Sequence, residues 1–176
     1  MSGFRVFIRP PVCEDREVFL SAANRSRELH NPWIHPPRTP VEFESYLQRF
    51  ESPTFESRLI FREGSVDLVG VINLNNIIRG YFLNAFLGFY GFVPHVGRGF
   101  MLEGMRLVIQ EAFGPLSLHR LEANVQPDNQ RSVRLVQRAG FTKEGFSPNY
   151  LCIGGEWRDH ERWALLNEPR EGPDSE

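Results

Sequence analysis

Apolar residues along this chain keep two periods, and the places where one gives way to the other mark out the elements. Residues 5–9 alternate around Val6, Phe7 and Ile8 and stop at Pro10-Pro11, which predicts an opening strand. Residues 15–29 place Val18, Phe19, Ala22 and Ala23 on one helical face, and residues 30–40 carry four prolines and Trp33, an ordered but nonhelical loop. A second helix is expected over 40–50, with Thr39 as its cap, Pro40 in its first position and Phe43, Tyr46, Leu47 and Phe50 facing inward. Three strand-like runs at 57–62, 67–78 and 84–93, punctuated by Glu63-Gly64 and Arg79-Gly80, read as an antiparallel meander. A helix at 100–113 stops at Gly114-Pro115, and a strand follows at 120–126. Asn129 then stands where it can cap a helix whose Val133, Val136 and Ala139 face inward, with Gly140 as the stop. Runs at 141–153 and 157–166 read as a hairpin across Gly154-Gly155. Strands separated by helices predict a single α/β (α+β) domain over 1–168, built on a central mixed, mostly antiparallel twisted sheet of about seven strands with helices on both faces, and a flexible tail at 169–176.

Between the strand ending near Val93 and the helix starting near Phe100 lies Val96-Gly97-Arg98-Gly99-Phe100. Two glycines allow φ > 0, and the first amides of the following helix have no intrahelical acceptor. Those N–H groups and the helix dipole suit a diphosphate. Asn129 and Ser132, three residues apart at a helix start, share one side of it. The same pair is also an ordinary capping arrangement.

The 176 residues fit one core, and a formal charge of -2 with 20 basic residues scattered along the chain argues against direct nucleic-acid binding. No run approaches the ~18 apolar residues of a membrane helix, and there is no basic start followed by an apolar stretch, so the expectation is a cytoplasmic protein with no membrane contact. Cys13 and Cys152 have no metal-ligand or redox spacing and are expected to be plain hydrophobes. No metal is expected.

The order of these blocks resembles the GNAT acetyltransferase family. More specifically, Gly70-Val71-Ile72-Asn73-Leu74-Asn75-Asn76, Leu87-Gly88-Phe89 and Gly97-Arg98-Gly99-Phe100-Met101 are similar to the RimJ-type ribosomal-protein-alanine N-acetyltransferases. So are His119-Arg120-Leu121-Glu122-Ala123-Asn124, Asn129-Gln130-Arg131-Ser132, Gly140-Phe141-Thr142-Lys143-Glu144-Gly145 and Gly155-Glu156-Trp157-Arg158-Asp159-His160. The resemblance spans about residues 66–166; the N-terminal third is similar mainly in length and in its aromatic, proline-rich loop.

The resemblance implies acetyl-CoA as donor and direct attack by a primary amine, at a site where two neighbouring strands splay. It implies that the backbone of Phe89, Tyr90, Gly91, Phe92 and Val93 pairs with the pantetheine arm, and that the amides of Val96, Gly97, Arg98, Gly99, Phe100 and Met101 hold the diphosphate. Asn129 would bond the pantetheine and Ser132 would protonate the departing thiolate. On the acceptor side Trp33 would wall the groove, and Tyr150 would order a water or the amine. The chain departs from its relatives before the glycine turn, where Phe92, Pro94 and Val96 replace acidic and glutamine residues and leave no carboxylate base on that strand. Glu144 and Asp159 can equally serve a strand pair, and His95, His119 and His160 read as surface or hydrogen-bonded residues rather than catalytic ones.

Amine chemistry fits this lack of a base. A peptide α-amine of pKa near 7.8 starts about 3.5 kcal/mol ahead of a lysine near 10.4 in neutral form at pH 7. The leading expectation is therefore acetylation of the N-terminal α-amine of a protein, ribosomal by resemblance. The alternatives are an acetyltransferase for a small amine, such as a polyamine, an amino acid derivative or an antibiotic, or a noncatalytic acetyl-CoA-binding module. A second copy of the chain is a candidate partner.

Overall fold

The computed structural model describes residues 3–167, so the tail expected at 169–176 and the domain limit at 168 lie outside the described residues. The chain opens with β1 (Val6–Arg9), α1 (Arg16–Arg25), α2 (Arg27–His30) and α3 (Pro40–Gln48), then runs through β2 (Glu56–Arg62), β3 (Leu68–Ile78) and β4 (Asn84–Gly91). It continues with α4 (Phe100–Phe113), β5 (Arg120–Val125), α5 (Gln130–Arg138), β6 (Thr142–Ile153) and β7 (Glu156–Leu166). All seven strands form one sheet in the order β1-β2-β3-β4-β5-β7-β6, and only β4 and β5 run parallel.

Side chains alternate across this sheet and build a core on each face. Ile60, Ile72 and Leu74 pack with Phe100, Met105 and Val108 of α4 and Val133 and Val136 of α5. On the other face Leu59, Phe61, Val71, Tyr90 and Phe92 meet Phe19 of α1 and Phe43 and Tyr46 of α3. The expected α/β (α+β) sheet with helices on both faces is what forms. Thr39 caps α3 as its sequence promised: its Oγ1 accepts from Glu42 N at 3.3 Å, while Glu42 Oε2 accepts from Thr39 N at 2.9 Å.

Two boundaries differ from expectation for one reason. The helix expected over 15–29 breaks at Ser26 (φ -102°, ψ 16°), which is buried and whose Oγ accepts from Val93 N at 3.0 Å. The strand expected to reach Val93 stops at Gly91. A tertiary hydrogen bond 67 residues long in sequence thus ends both elements. The two cysteines are also not core hydrophobes, because both are exposed.

Candidate active site

Strands β4 and β5 pair only from Asn84↔Arg120 to Leu87↔Ala123 and then separate. Beside the unpaired end of β4 lies a cavity of about 760 Å³, within the usual size of small-molecule sites. Its walls come from β4, from the turn before α4, from the start of α5, and from α2 with the loop after it.

Alternation decides which β4 groups face this gap. Phe92 N donates to Val69 O at 2.8 Å, and the register Val71↔Tyr90 continues that pairing, so Tyr90 and Phe92 turn their main chain toward β3. Gly91 and Phe89 turn theirs toward the cavity. Fewer groups of the backbone from 89 to 93 are thus open to a pantetheine arm than the resemblance implied. Val93 spends its N–H on Ser26 and its carbonyl on Arg25 Nε at 3.2 Å, and the Gly91 carbonyl accepts from His30 Nε2 at 2.8 Å. What remains is the Phe89 pair and the Gly91 N–H. Close approach demands glycine at 91, where a Cβ would stand 3.1 Å from Val96 Cγ1 and 3.2 Å from Met101 Cγ.

The turn into α4 is shaped by Gly97 at φ 79° and Gly99 at φ 86°, both in the left-handed region. Gly99 is the N-cap, and its carbonyl accepts from Leu102 N at 3.1 Å and Glu103 N at 3.2 Å. Among the described residues, none of the six amides from Val96 to Met101 donates to a protein acceptor. Arg5 braces the turn from behind. Its Nη2 donates to Arg98 O at 3.1 Å, its Nε to Glu103 Oε1 at 2.7 Å, and its guanidinium lies 4.6 Å from the Phe100 ring centroid.

At the start of α5, Asn129 Oδ1 accepts from Ser132 N at 3.2 Å, so the capping geometry is real and leaves the amide nitrogen of Asn129 and the hydroxyl of Ser132 for other work. Both residues line the cavity. Arg131, Arg134 and Arg138 line it too. Their spacing of three and four puts them along one side of α5, a signal the sequence held but the Asn-x-x-Ser reading passed over.

Of the residues expected at a donor site, the cavity gathers Phe89, Tyr90, Gly91, Val96, Gly97, Gly99, Met101, Asn129 and Ser132, with Trp33 at its edge. Phe92 and Phe100 are core side chains, and neither they nor Val93 and Arg98 line it. Tyr150 does not line it either; its ring lies 6.2 Å from that of His160. His160 is a structural residue, buried and bonded through Nδ1 to Arg158 O at 2.9 Å.

Two histidines in the cavity were missed. His95, expected as a solvated loop residue, is 7% exposed with its Nδ1 unpartnered; burial, against the pull of Asp67 and with smaller pushes from Arg98, Arg62 and Arg25, holds its pKa below the ordinary value. His30 is 2% exposed, and burial lowers its pKa. Neither sits in a recognisable motif.

A second cavity of about 530 Å³ shares Ile34 and Tyr90 with the first. Arg38, Arg49 and Glu42 supply its charge. Glu42 is already engaged in its capping box, while Arg49 Nη2 reaches Asn75 Oδ1 at 2.6 Å. Asn73 lines it and accepts from Tyr46 OH at 3.3 Å. The tip of the β6–β7 hairpin comes close to the proline-rich loop that walls both cavities, since a Cβ on Gly154 would lie 3.1 Å from His35 Nε2.

Known proteins are similar to this chain in sequence and in fold. The family profile described as "Acetyltransferase (GNAT) domain" matches residues 5–142. The probable N-acetyltransferase YjcK of Bacillus subtilis is 33% identical over 95% of this chain and 97% of its own. The [ribosomal protein uS5]-alanine N-acetyltransferase of Escherichia coli is 38% identical over 60% of this chain and 55% of its own. Among solved structures, spermidine N-acetyltransferase from Vibrio cholerae in complex with CoA and spermine superposes with a TM-score of 0.78 at 21% identity, covering 92% of this chain and 95% of the other.

Proposed function

This chain belongs to the GNAT acetyltransferase family, and from that premise we propose that it acetylates the N-terminal α-amine of a protein. It is an acetyl-CoA-dependent N-acetyltransferase; the identity of the acceptor is the proposal. The residues present fit the donor. Six unpartnered amides at a helix N-terminus, opened by two glycines, suit a diphosphate, and Arg131, Arg134 and Arg138 supply positive charge beside them. Bound acetyl-CoA supplies an acyl group activated as a thioester. Phe89 would offer its main chain to an extended arm, the Asn129 amide nitrogen would donate to it, and the Ser132 hydroxyl would supply a proton to sulfur.

The observation that carries the acceptor reading is the charge of the second cavity, which shares Tyr90 and Ile34 with the first. Arg38 and Arg49 face one carboxylate, Glu42, whose Oε2 already accepts two backbone N–H bonds at 2.8 and 2.9 Å. A polycation meets like charge there. A peptide brings carbonyl oxygens that guanidinium and amide donors can bond. Asn73, whose amide nitrogen has no protein acceptor among the described residues, adds one more such donor. The test is an acceptor panel. Peptides beginning with Ala or Ser should be acetylated with a kcat/KM well above that of spermidine, and Arg49→Glu should narrow the gap. Turnover of spermidine alone would overturn the reading.

A further inference from the structure

We propose that His30 is a positioning residue: by holding the Gly91 carbonyl it leaves the Gly91 N–H as a lone donor in the cavity, set for the carbonyl oxygen of the bound thioester.

At an outward-facing position both the N–H and the C=O point to the same side, so an extended ligand can exchange two bonds with one residue. Phe89 offers both. Gly91 does not, because His30 Nε2 lies 2.8 Å from its oxygen. A strand-like arm can thus pair at Phe89 and has no second register at Gly91. The one group left at Gly91 is a donor, and an acyl oxygen can only accept.

The imidazole is built for this single task. A carbonyl only accepts, so Nε2 carries the hydrogen and Nδ1 a bare lone pair. That Nδ1 is buried with no partner among the described residues, an arrangement that costs stability. The ring packs edge-on to Tyr90 at 5.6 Å and Phe92 at 5.7 Å, surroundings a phenylalanine would fill without stranding a polar atom. Burial, against the pull of the Gly91 bond and with a smaller push from Arg38, lowers the ring's pKa. Arg38 from the proline-rich loop and the Tyr90 phenol from β4 are the ionisable groups that face it from other elements. Val96 and Met101 crowd the place where a Cβ on Gly91 would stand, Tyr90 is held to β3 on one side of Gly91, and the bond to His30 holds its carbonyl on the other.

The inference rests on acetyl-CoA lying along β4 and not on which amine is acetylated. Its tests therefore use the donor alone, in the full-length chain, with His30→Phe to remove the bond and His30→Gln to keep a donor near the Nε2 position. With acetyl-CoA labelled at the carbonyl carbon, difference infrared spectra should show the bound C=O stretch lowered in the wild type, returned toward the free value in His30→Phe and lowered again in His30→Gln. Calorimetry should find CoA affinity changed by less than about threefold in both variants, so that the infrared shift reports the acyl oxygen and not a loss of the donor. A lowered stretch that persists in His30→Phe, or a His30→Gln variant that folds but behaves as His30→Phe does, overturns the proposal. Nitrogen-15 spectra of the wild type give an independent reading if His30→Phe fails to fold. They should show a neutral Nε2–H ring at pH 7, and an Nδ1–H or charged ring would overturn it. Failure to acetylate any peptide would leave all of these donor measurements unchanged.

Discussion

Alanine at Gly97 separates what the glycine turn costs from what it does. Gly97 sits at φ +79°, and Gly64, in the turn between β2 and β3, at φ +73°; a Cβ at either would meet nothing within 4 Å. A side chain in the left-handed region costs about 1–2 kcal/mol at each position. In a chain of this length each kcal/mol lowers Tm by about 2–4 °C, so both variants should melt about 2–8 °C below the wild type. Gly64 is the control, because it does not line the cavity. At Gly97 the new methyl projects beside amides proposed to hold a diphosphate, and relief of the φ strain re-aims them. Scanning fluorimetry and calorimetry should show CoA bound at least about tenfold more weakly by Gly97→Ala, a loss of about 1.4 kcal/mol, and equally well by Gly64→Ala. If Gly97→Ala melts early yet binds CoA as the wild type does, the bend is only a bend and the diphosphate lies elsewhere.

Ser132→Ala should lower kcat with CoA affinity unchanged, whereas Asn129→Ala should lose stability by about 0.5–2 kcal/mol through its cap as well as donor affinity; equal rates for Ser132→Ala and wild type would reduce Ser132 to a helix residue. Arg134→Ala should weaken CoA binding and flatten its dependence on salt, measured by calorimetry across ionic strength, and an unchanged salt response would remove α5 from the phosphate site. The Arg120 guanidinium holds the Glu144 carboxyl below its ordinary pKa, so this pair stabilises the fold above the unfolded value and is lost as pH falls through the depressed one. With the Glu144 side chain 42% exposed, Glu144→Gln should cost no more than about 1 kcal/mol at pH 7, and melting curves of variant and wild type should converge below about pH 4. A gap that widens in acid would contradict that sign.

Sequence reasoning succeeded where the cause of a structure is local. The caps at Thr39 and Asn129, the glycines at 97 and 99 and the α4 limits Phe100–Phe113 depend on neighbours a few residues away, and all could be read directly. It fell short where the cause is distant. Nothing near Ser26 announces that its hydroxyl will meet Val93, yet that bond breaks one helix and shortens one strand. His30 and His95 were hidden for the same reason, since burial by Tyr90, Phe92 and Phe100 is a property of the assembled sheet. The expectation for Tyr150 placed an aromatic by its position in a hairpin, and the register shift between Ser147 and Leu151 leaves it against His160, outside the cavity lining.

The two arguments about the acceptor come from unrelated physics and point to the same amine. One concerns protons. The cavity carboxylates, Glu28 and Asp128, are both exposed, and β4 itself carries no carboxylate beside the cavity. An α-amine, with about a tenth or more already neutral at pH 7, can react there, while a polyamine or lysine nitrogen must first shed a tightly held proton. The other concerns charge. Arg38 and Arg49 in the adjoining cavity oppose a polycation before any proton moves. The two separate in experiment: raising pH frees the proton on spermidine but leaves the arginines charged. A spermidine rate that stays low at pH 9 assigns the discrimination to the second cavity, and one that climbs to the peptide rate assigns it to the missing base.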